Sequence, residues 1–266
     1  EEEVASVVAG WVRTCERGEP LRDLTAQLKR ESMNMGMRLM FSKRWGDELS
    51  DTYRQLQHCV EYFFQNLSAG NPSDMIPALR FVSSSVATTT GFLAEFKRMV
   101  DLRDELLGGL IAEHRAEFNE LRANGAMASP ADARDVLDRF FWDQMGEDHY
   151  LMTDEQIHVC TWDVLFASTD TTATTNEWMI YHLVNNPHVQ AKVHEELDRV
   201  VGPDRLPTLD DRAALPYFNA FLMEVFRFRI VPPLMAPHYA SEDITLHDED
   251  GNAFLIPAGT QILMHG

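Results

Sequence analysis

The sequence is short of cysteine, of basic residues and of long apolar runs. Cys15, Cys59 and Cys160 are its only cysteines, an odd number with no C-x-x-C pair. That excludes a disulfide framework and a structural zinc site, so no metal site is expected within the chain, and it fits a reducing compartment. No run of about 18 apolar residues occurs, so no segment reads as a membrane span. Lys and Arg total 23 against 42 Asp and Glu, a net charge of -19. Nucleic-acid binding would require a basic face, and so would adhesion to anionic lipid, so both are excluded as electrostatic functions of this chain. There is no internal repeat and no low-complexity run. The first residue is Glu1 rather than Met, and the last, Gly266, follows a strand-like stretch, so the sequence reads as cut at both ends.

What is present is a globular composition. Hydrophobic residues make up 45% of 266, enough to bury a core and too many for a disordered chain. Over the first 200 residues the apolar positions recur at helical spacing. Val4, Val7, Val8, Trp11 and Val12 form one face, ended by Gly18 and Pro20. Helices are expected over 21–40, 49–67 and 92–121, with a loop at Asn71-Pro72-Ser73-Asp74 and a polar hinge from Asn124-Gly125 to Ser129-Pro130. Thr153-Asp154-Glu155-Gln156 is a capping-box sequence that opens the longest helix, expected over 153–186. No Gly or Pro interrupts it for about 30 residues, or about 45 Å. Pro187 and Pro216 open two further helices, the second running to about Arg229. Beyond Pro232-Pro233 the pattern changes. Ile244 and Leu246, then Phe254 to Ile256, flank the hairpin turn signal Asp250-Gly251, so 240–264 reads as a small β region. The fold class is mainly α with a small β region.

Two segments could carry chemistry. Ala167-Ser168-Thr169-Asp170-Thr171-Thr172 places mediocre helix formers in the middle of the long helix, where propensity alone would not put them. Ala167, Ser168, Thr171 and Thr172 make a strip of small side chains along which something flat could approach the backbone. Thr171 can bond back to the Ala167 carbonyl. Asp170 beside Thr171 sets an acid next to an alcohol, the parts of a proton relay. The competing reading is a Thr-rich helix–helix contact with Asp170 reaching solvent. Glu224 and Arg227, three apart, share a face of a helix that is otherwise apolar nearly all round. On residues alone they read as an exposed pair, contributing about 0.2–0.5 kcal/mol.

Taken in order, these segments resemble the cytochrome P-450 family of haem-thiolate monooxygenases. Ala167 to Thr172 is similar to the oxygen-binding motif A/G-G-x-D/E-T-T/S, and Glu224 and Arg227 match its E-x-x-R. Leu215-Pro216-Tyr217, Pro233 to His238, and Ile256-Pro257-Ala258-Gly259-Thr260 resemble the flanking segments in family order. Asn34, Phe41 and Gly46 fall in a stretch like one of microsomal members. The resemblance covers essentially the whole chain. It implies an incomplete cytochrome P-450 fold, residues 1–266 being a single interior fragment: helices over 1–150, the oxygen-binding helix at 153–186, the E-x-x-R helix at 216–229 and the hairpin region at 240–264.

The resemblance implies roles as well. Asp170 and Thr171 match the acid–alcohol pair that delivers protons for oxygen activation. Ala167 and Ser168 match the groove over the haem, and His238 a residue that contacts a haem propionate. Asp163, Leu234, Met235 and Ala236 match substrate-pocket positions. Glu224 and Arg227 match a structural pair. The implied partners are a small apolar organic substrate, dioxygen and an NADPH-dependent flavin reductase. The implied location is the cytosolic face of the endoplasmic reticulum membrane, through an anchor preceding this soluble segment. Two departures stand out. Ser168 replaces the family's glycine, which narrows the groove or adds a hydrogen bond. The cysteine loop F-x-x-G-x-x-x-C-x-G does not occur, so the axial ligand of the haem iron is absent and the segment alone is expected to be inactive. Two other readings stay open on the sequence. One is a truncated, non-catalytic helical scaffold binding a partner or apolar ligand without haem. The other is an isomerase or dehydratase of the same family.

Overall fold

A computed structural model describes residues 2–45, 50–67, 92–146, 152–232 and 237–263. Eight α-helices occur among the described residues: α1 (Glu2–Glu16), α2 (Leu24–Phe41), α3 (Asp51–Leu67), α4 (Phe92–Ala123), α5 (Val136–Met145), α6 (Asp154–Asn185), α7 (Pro187–Val200) and α8 (Pro216–Phe228). Four short strands follow: β1 (His238–Tyr239), β2 (Ile244–His247), β3 (Ala253–Ile256) and β4 (Gln261–Ile262). The mainly helical class expected from periodicity is the one observed. The chain divides into two compact units, Arg30–Asp170 and a second made of Glu1–Lys29 with Thr171–Gly266.

The Arg30–Asp170 unit is built on a methionine-rich and aromatic core. Met33, Met37, Met40 and Phe41 of α2 meet Leu56, Val60 and Phe63 of α3, and Leu107, Phe118, Phe141 and Leu165 from α4, α5 and α6 join the same cluster. The flexible thioether chains of methionine fill the irregular gaps left by rigid rings. Phe63 stands edge-on to both Phe96 and Trp162, the geometry favoured by ring quadrupoles. Asn34, fully buried, closes the loop after α2: its Nδ2 donates to Trp45 O at 3.3 Å and its Oδ1 accepts from Trp45 N at 3.1 Å. The Gly46 of the same sequence stretch lies outside the described residues, as does the loop expected at Asn71–Asp74.

Between the hinge at 124–130 and the long helix the sequence bounds no separate helix, and α5 forms there. Asp135 caps it by accepting from Asp138 N at 2.8 Å. Asp135, Asp138 and His114 of α4 make a buried ion cluster, all three side chains shielded from solvent. His114 Nε2 lies 3.1 Å from a carboxylate oxygen of each aspartate. The Arg134 guanidinium donates to both oxygens of Asp138, at 2.7 and 3.1 Å. The three groups have ligand-like spacing. The Arg134 cation already occupies Asp138, and a metal cation beside it would meet like charge, so the cluster reads as ionic packing between α4 and α5.

The second unit holds α1, the start of α2, the end of α6, α7, α8 and the strands. Trp11 Nε1 donates to Gln27 Oε1 at 2.7 Å, and Thr25 bonds the Glu177 carboxylate. Val193 of α7 packs against Phe221 and Val225 of α8. Pro216 opens α8 without an N–H of its own, and the Glu196 carboxylate accepts from Tyr217 N at 2.9 Å and Phe218 N at 2.8 Å. A buried carboxylate thus satisfies the orphan donors and the positive end of that helix. β2 and β3 pair antiparallel with Ile244 opposite Ile256 and Leu246 opposite Phe254. Asp248 Oδ1 accepts from Asp250 N and Asn252 N, and Gly251 takes φ 84°, so the turn forms where Asp250-Gly251 predicted it. β1 pairs with β4.

Candidate functional site on the long helix

The capping box written in the sequence is formed at the start of α6. Gln156 N donates to Thr153 Oγ1 at 3.2 Å, and Thr153 N donates to Gln156 Oε1 at 2.8 Å. Three further contacts seat this end of the helix. Asp154 accepts from Arg115 of α4 at 2.6 Å and from Gln144 of α5 at 3.0 Å, and His158 meets Asp104 of α4 at 3.0 Å. The helix then runs 32 residues without a break.

Its threonines are accommodated by bonding back along the helix. Thr161 Oγ1 donates to Ile157 O at 2.7 Å, Thr169 Oγ1 to Leu165 O at 2.6 Å, and Thr175 Oγ1 to Thr171 O at 2.8 Å. Each hydroxyl finds a partner one turn earlier, so the Thr-rich centre costs no buried unpaired donor at these positions.

Burial divides the helix in two. Ile157, Thr161, Leu165, Thr169 and Ala173, spaced by four, are buried to within 1% of completely. Val159, Asp163 and Ala167, two residues out of step and so about 200° round the helix, are exposed. Thr171 continues that open line and is half-buried, with half-buried Asp170 next to it. Of the predicted site residues, α6 therefore brings Asp163, Ala167, Asp170 and Thr171 along one open border. Ser168 lies on a different flank. Its hydroxyl donates to Leu165 O at 3.3 Å and faces Gly36 of α2.

The remaining predicted residues are elsewhere. Glu224 and Arg227 form a two-armed pair, both contacts 2.7 Å, and both side chains are more than half exposed. The guanidinium holds the Glu224 carboxyl below the usual range. Glu224 also lines an apolar groove of about 460 Å³ with His182, Tyr217, Phe221, Val225 and Phe228. His238 is exposed on β1, opposite Ile262. Leu234, Met235 and Ala236 lie outside the described residues. The three cysteines are dispersed: Cys15 is exposed on α1, Cys160 is on α6, and Cys59 is fully buried on α3 with its thiol 3.8 Å from Met99 O. Burial pushes the Cys59 thiol up to about 11.

Sequence reasoning missed Glu196, Gly36 and the His114–Asp135–Asp138 cluster. The pairing Glu196–Tyr217 spans 21 residues and leaves no local signature. Pro216 was the one available signal, since a helix opened by proline still needs partners for its next amides.

Comparison with known proteins gives a single answer. A profile of the cytochrome P450 family matches residues 1–266. The chain is 31% identical over 231 residues to cytochrome P450 1A1 of Cavia porcellus, covering 83% of this chain and 40% of that protein. It is 30% identical over 257 residues to the steroid 17-alpha-hydroxylase/17,20 lyase of Ictalurus punctatus, covering 91% and 44%. A solved zebra fish cytochrome P450 with progesterone superposes with TM-score 0.75 and 27% identity, over 99% of this chain and 55% of that one. The chain spans less than half the length of the curated relatives quoted. Matched by the family profile along its whole length and sharing the fold of a solved member, the chain belongs to the cytochrome P450 family.

Proposed function

We propose that this chain supplies the oxygen-side helix of a haem-dependent monooxygenase that inserts one oxygen atom into an apolar organic molecule. The observation that carries the reading is the open border of α6, where Asp163, Ala167 and Thr171 face outward from a helix whose opposite line is buried. The exposed methyl of Ala167 leaves room for a flat group to approach the helix. When bound, haem supplies the iron at which dioxygen is reduced. The chain's own contribution is proton handling: Thr171 Oγ1 donates and accepts at the face, and the Asp170 side chain beside it takes a proton from solvent and passes it to that hydroxyl. The thiolate ligand is not among the functions assigned to this chain, because Cys59 is buried with a raised pKa and Cys15 and Cys160 lie on α1 and α6.

Asp163 lines the substrate side in this reading, with Leu234, Met235 and Ala236 on the segment after α8. His238 holds a haem propionate, and Glu224 with Arg227 braces the haem-binding loop. Electrons come from an NADPH-dependent flavin reductase at the endoplasmic reticulum membrane, the location of the microsomal class. Among the described residues no helix is long and apolar enough to cross a membrane. Progesterone, named with the zebra fish relative, is an example of the apolar substrate class. The test is Thr171→Ala in a full-length, haem-loaded protein that carries the cysteine loop. Product per NADPH consumed should fall roughly tenfold or more while peroxide release rises, on the scale of lost general acid–base catalysis. Unchanged product yield with no extra peroxide release would remove Thr171 from the relay and favour chemistry that consumes no dioxygen.

A further inference from the structure

Where the family motif carries glycine, α6 carries Ser168, and the space for its hydroxymethyl group comes from α2. Gly36 is buried in the middle of α2, with no positive φ, so no turn or strained backbone requires a glycine there. Glycine inside a helix weakens it relative to alanine, so its benefit must be space. A Cβ on Gly36 would stand 2.6 Å from Ser168 Oγ, 3.3 Å from Leu165 Cδ2 and 3.7 Å from Ser168 Cβ. The first distance is not one that real atoms adopt, the second asks the flexible Leu165 side chain to yield by a few tenths of an ångström, and the last is ordinary contact. The conflict is thus chiefly with the serine oxygen. Gly108 and Gly109, inside α4, have nothing within 4 Å of such a Cβ, so among the described residues an approach this close is particular to Gly36.

We propose that Gly36 is a positioning residue for the oxygen-side face of α6. It leaves a space one atom wide in which the Ser168 hydroxyl stays bonded to the Leu165 carbonyl and turned toward α2, away from the Asp163–Ala167–Thr171 border. A serine thereby replaces the motif glycine without narrowing that face. The importance of the face rests on the function proposed above, whereas the packing does not.

Four chains test the assignment: the parent, Gly36→Ala, Ser168→Ala and the double variant. With Ser168 present, Gly36→Ala should lower Tm by about 3–6 °C, the scale of an overpacked site in a chain of this size. In the Ser168→Ala background, the same change should leave Tm unchanged or raise it by up to about 2–4 °C, because the clashing oxygen is gone and alanine is the better helix former by about 1 kcal/mol. A crystal structure of Gly36→Ala should show Ser168 Oγ rotated out of its bond to Leu165 O. Equal responses in the two backgrounds, or a serine that keeps its bond while α2 moves instead, overturn the assignment. If Gly36→Ala fails to fold, a folded double variant supports it and an unfolded one overturns it. These measurements need no haem. A failed Thr171 experiment therefore leaves them standing, and an uncoupled Gly36–Ser168 pair leaves the monooxygenase reading untouched.

Discussion

A single carboxylate can hold two helices together or link stability to pH, and two such residues here make distinct predictions. Glu196 takes the two orphan amides of α8 from a buried position on α7. Glu196→Ala should lower stability by about 1–2 kcal/mol in urea unfolding, the scale of a lost charged cap. Asp138 stands in the ion cluster between α4 and α5. Burial pushes its carboxyl up, but the hydrogen bonds and charge of Arg134, with the His114 ring beside it, outweigh burial and hold it below the ordinary value. A carboxyl depressed by folding stabilises fully above its unfolded pKa of about 3.9, and that contribution is lost as pH falls through the folded pKa. Asp138→Asn should cost about 2–3 kcal/mol at pH 7, and the difference from the parent should shrink as pH drops below about 4. Cys59 is a third case: a buried thiol pushed up to about 11 stays unalkylated at pH 8 in the folded chain, while exposed Cys15 reacts. Mass spectrometry after brief iodoacetamide treatment checks the order, and early labelling of Cys59 would contradict the buried placement.

The elements formed where local signals were strong. α6 begins at the capping box that Thr153 and Gln156 announce, and ends before Pro187, which starts α7. Thr153→Ala should cost about 1 kcal/mol, seen in thermal unfolding, because one amide of the first turn loses its acceptor. The β2–β3 hairpin closes on Asp248 and Gly251, a turn legible from Asp-Gly between apolar pairs. α2 starts at Leu24, later than expected, since Asp23 takes φ 51° and interrupts the apolar periodicity that runs back to Leu21. α5 was not legible as a separate helix. Its ten residues are too few for periodicity to separate from the hinge, and its start depends on Asp135 and on His114, which is 21 residues away.

At the scale of the molecule, the chain is a haem-family sequence whose own cysteines are dispersed over α1, α3 and α6. Expressed as residues 1–266 and loaded with haem, it should show no thiolate-type absorbance when reduced and treated with carbon monoxide. Such a band would require one of these three thiols to reach the iron, and replacing each with serine would identify it.

By itself the sequence determined the helical class, the long central helix with its cap, the hairpin and the family motifs, because periodicity, proline, glycine and capping residues act over a few neighbouring positions. It also placed Asp170 beside Thr171, which adjacency alone secures. The tertiary structure decided which side of α6 is open, that Ser168 turns to α2, and that Glu196 caps α8. Those outcomes depend on which distant residues come to lie against a side chain: a buried carboxylate, a missing Cβ and a covered helix face are properties of neighbours brought together by folding.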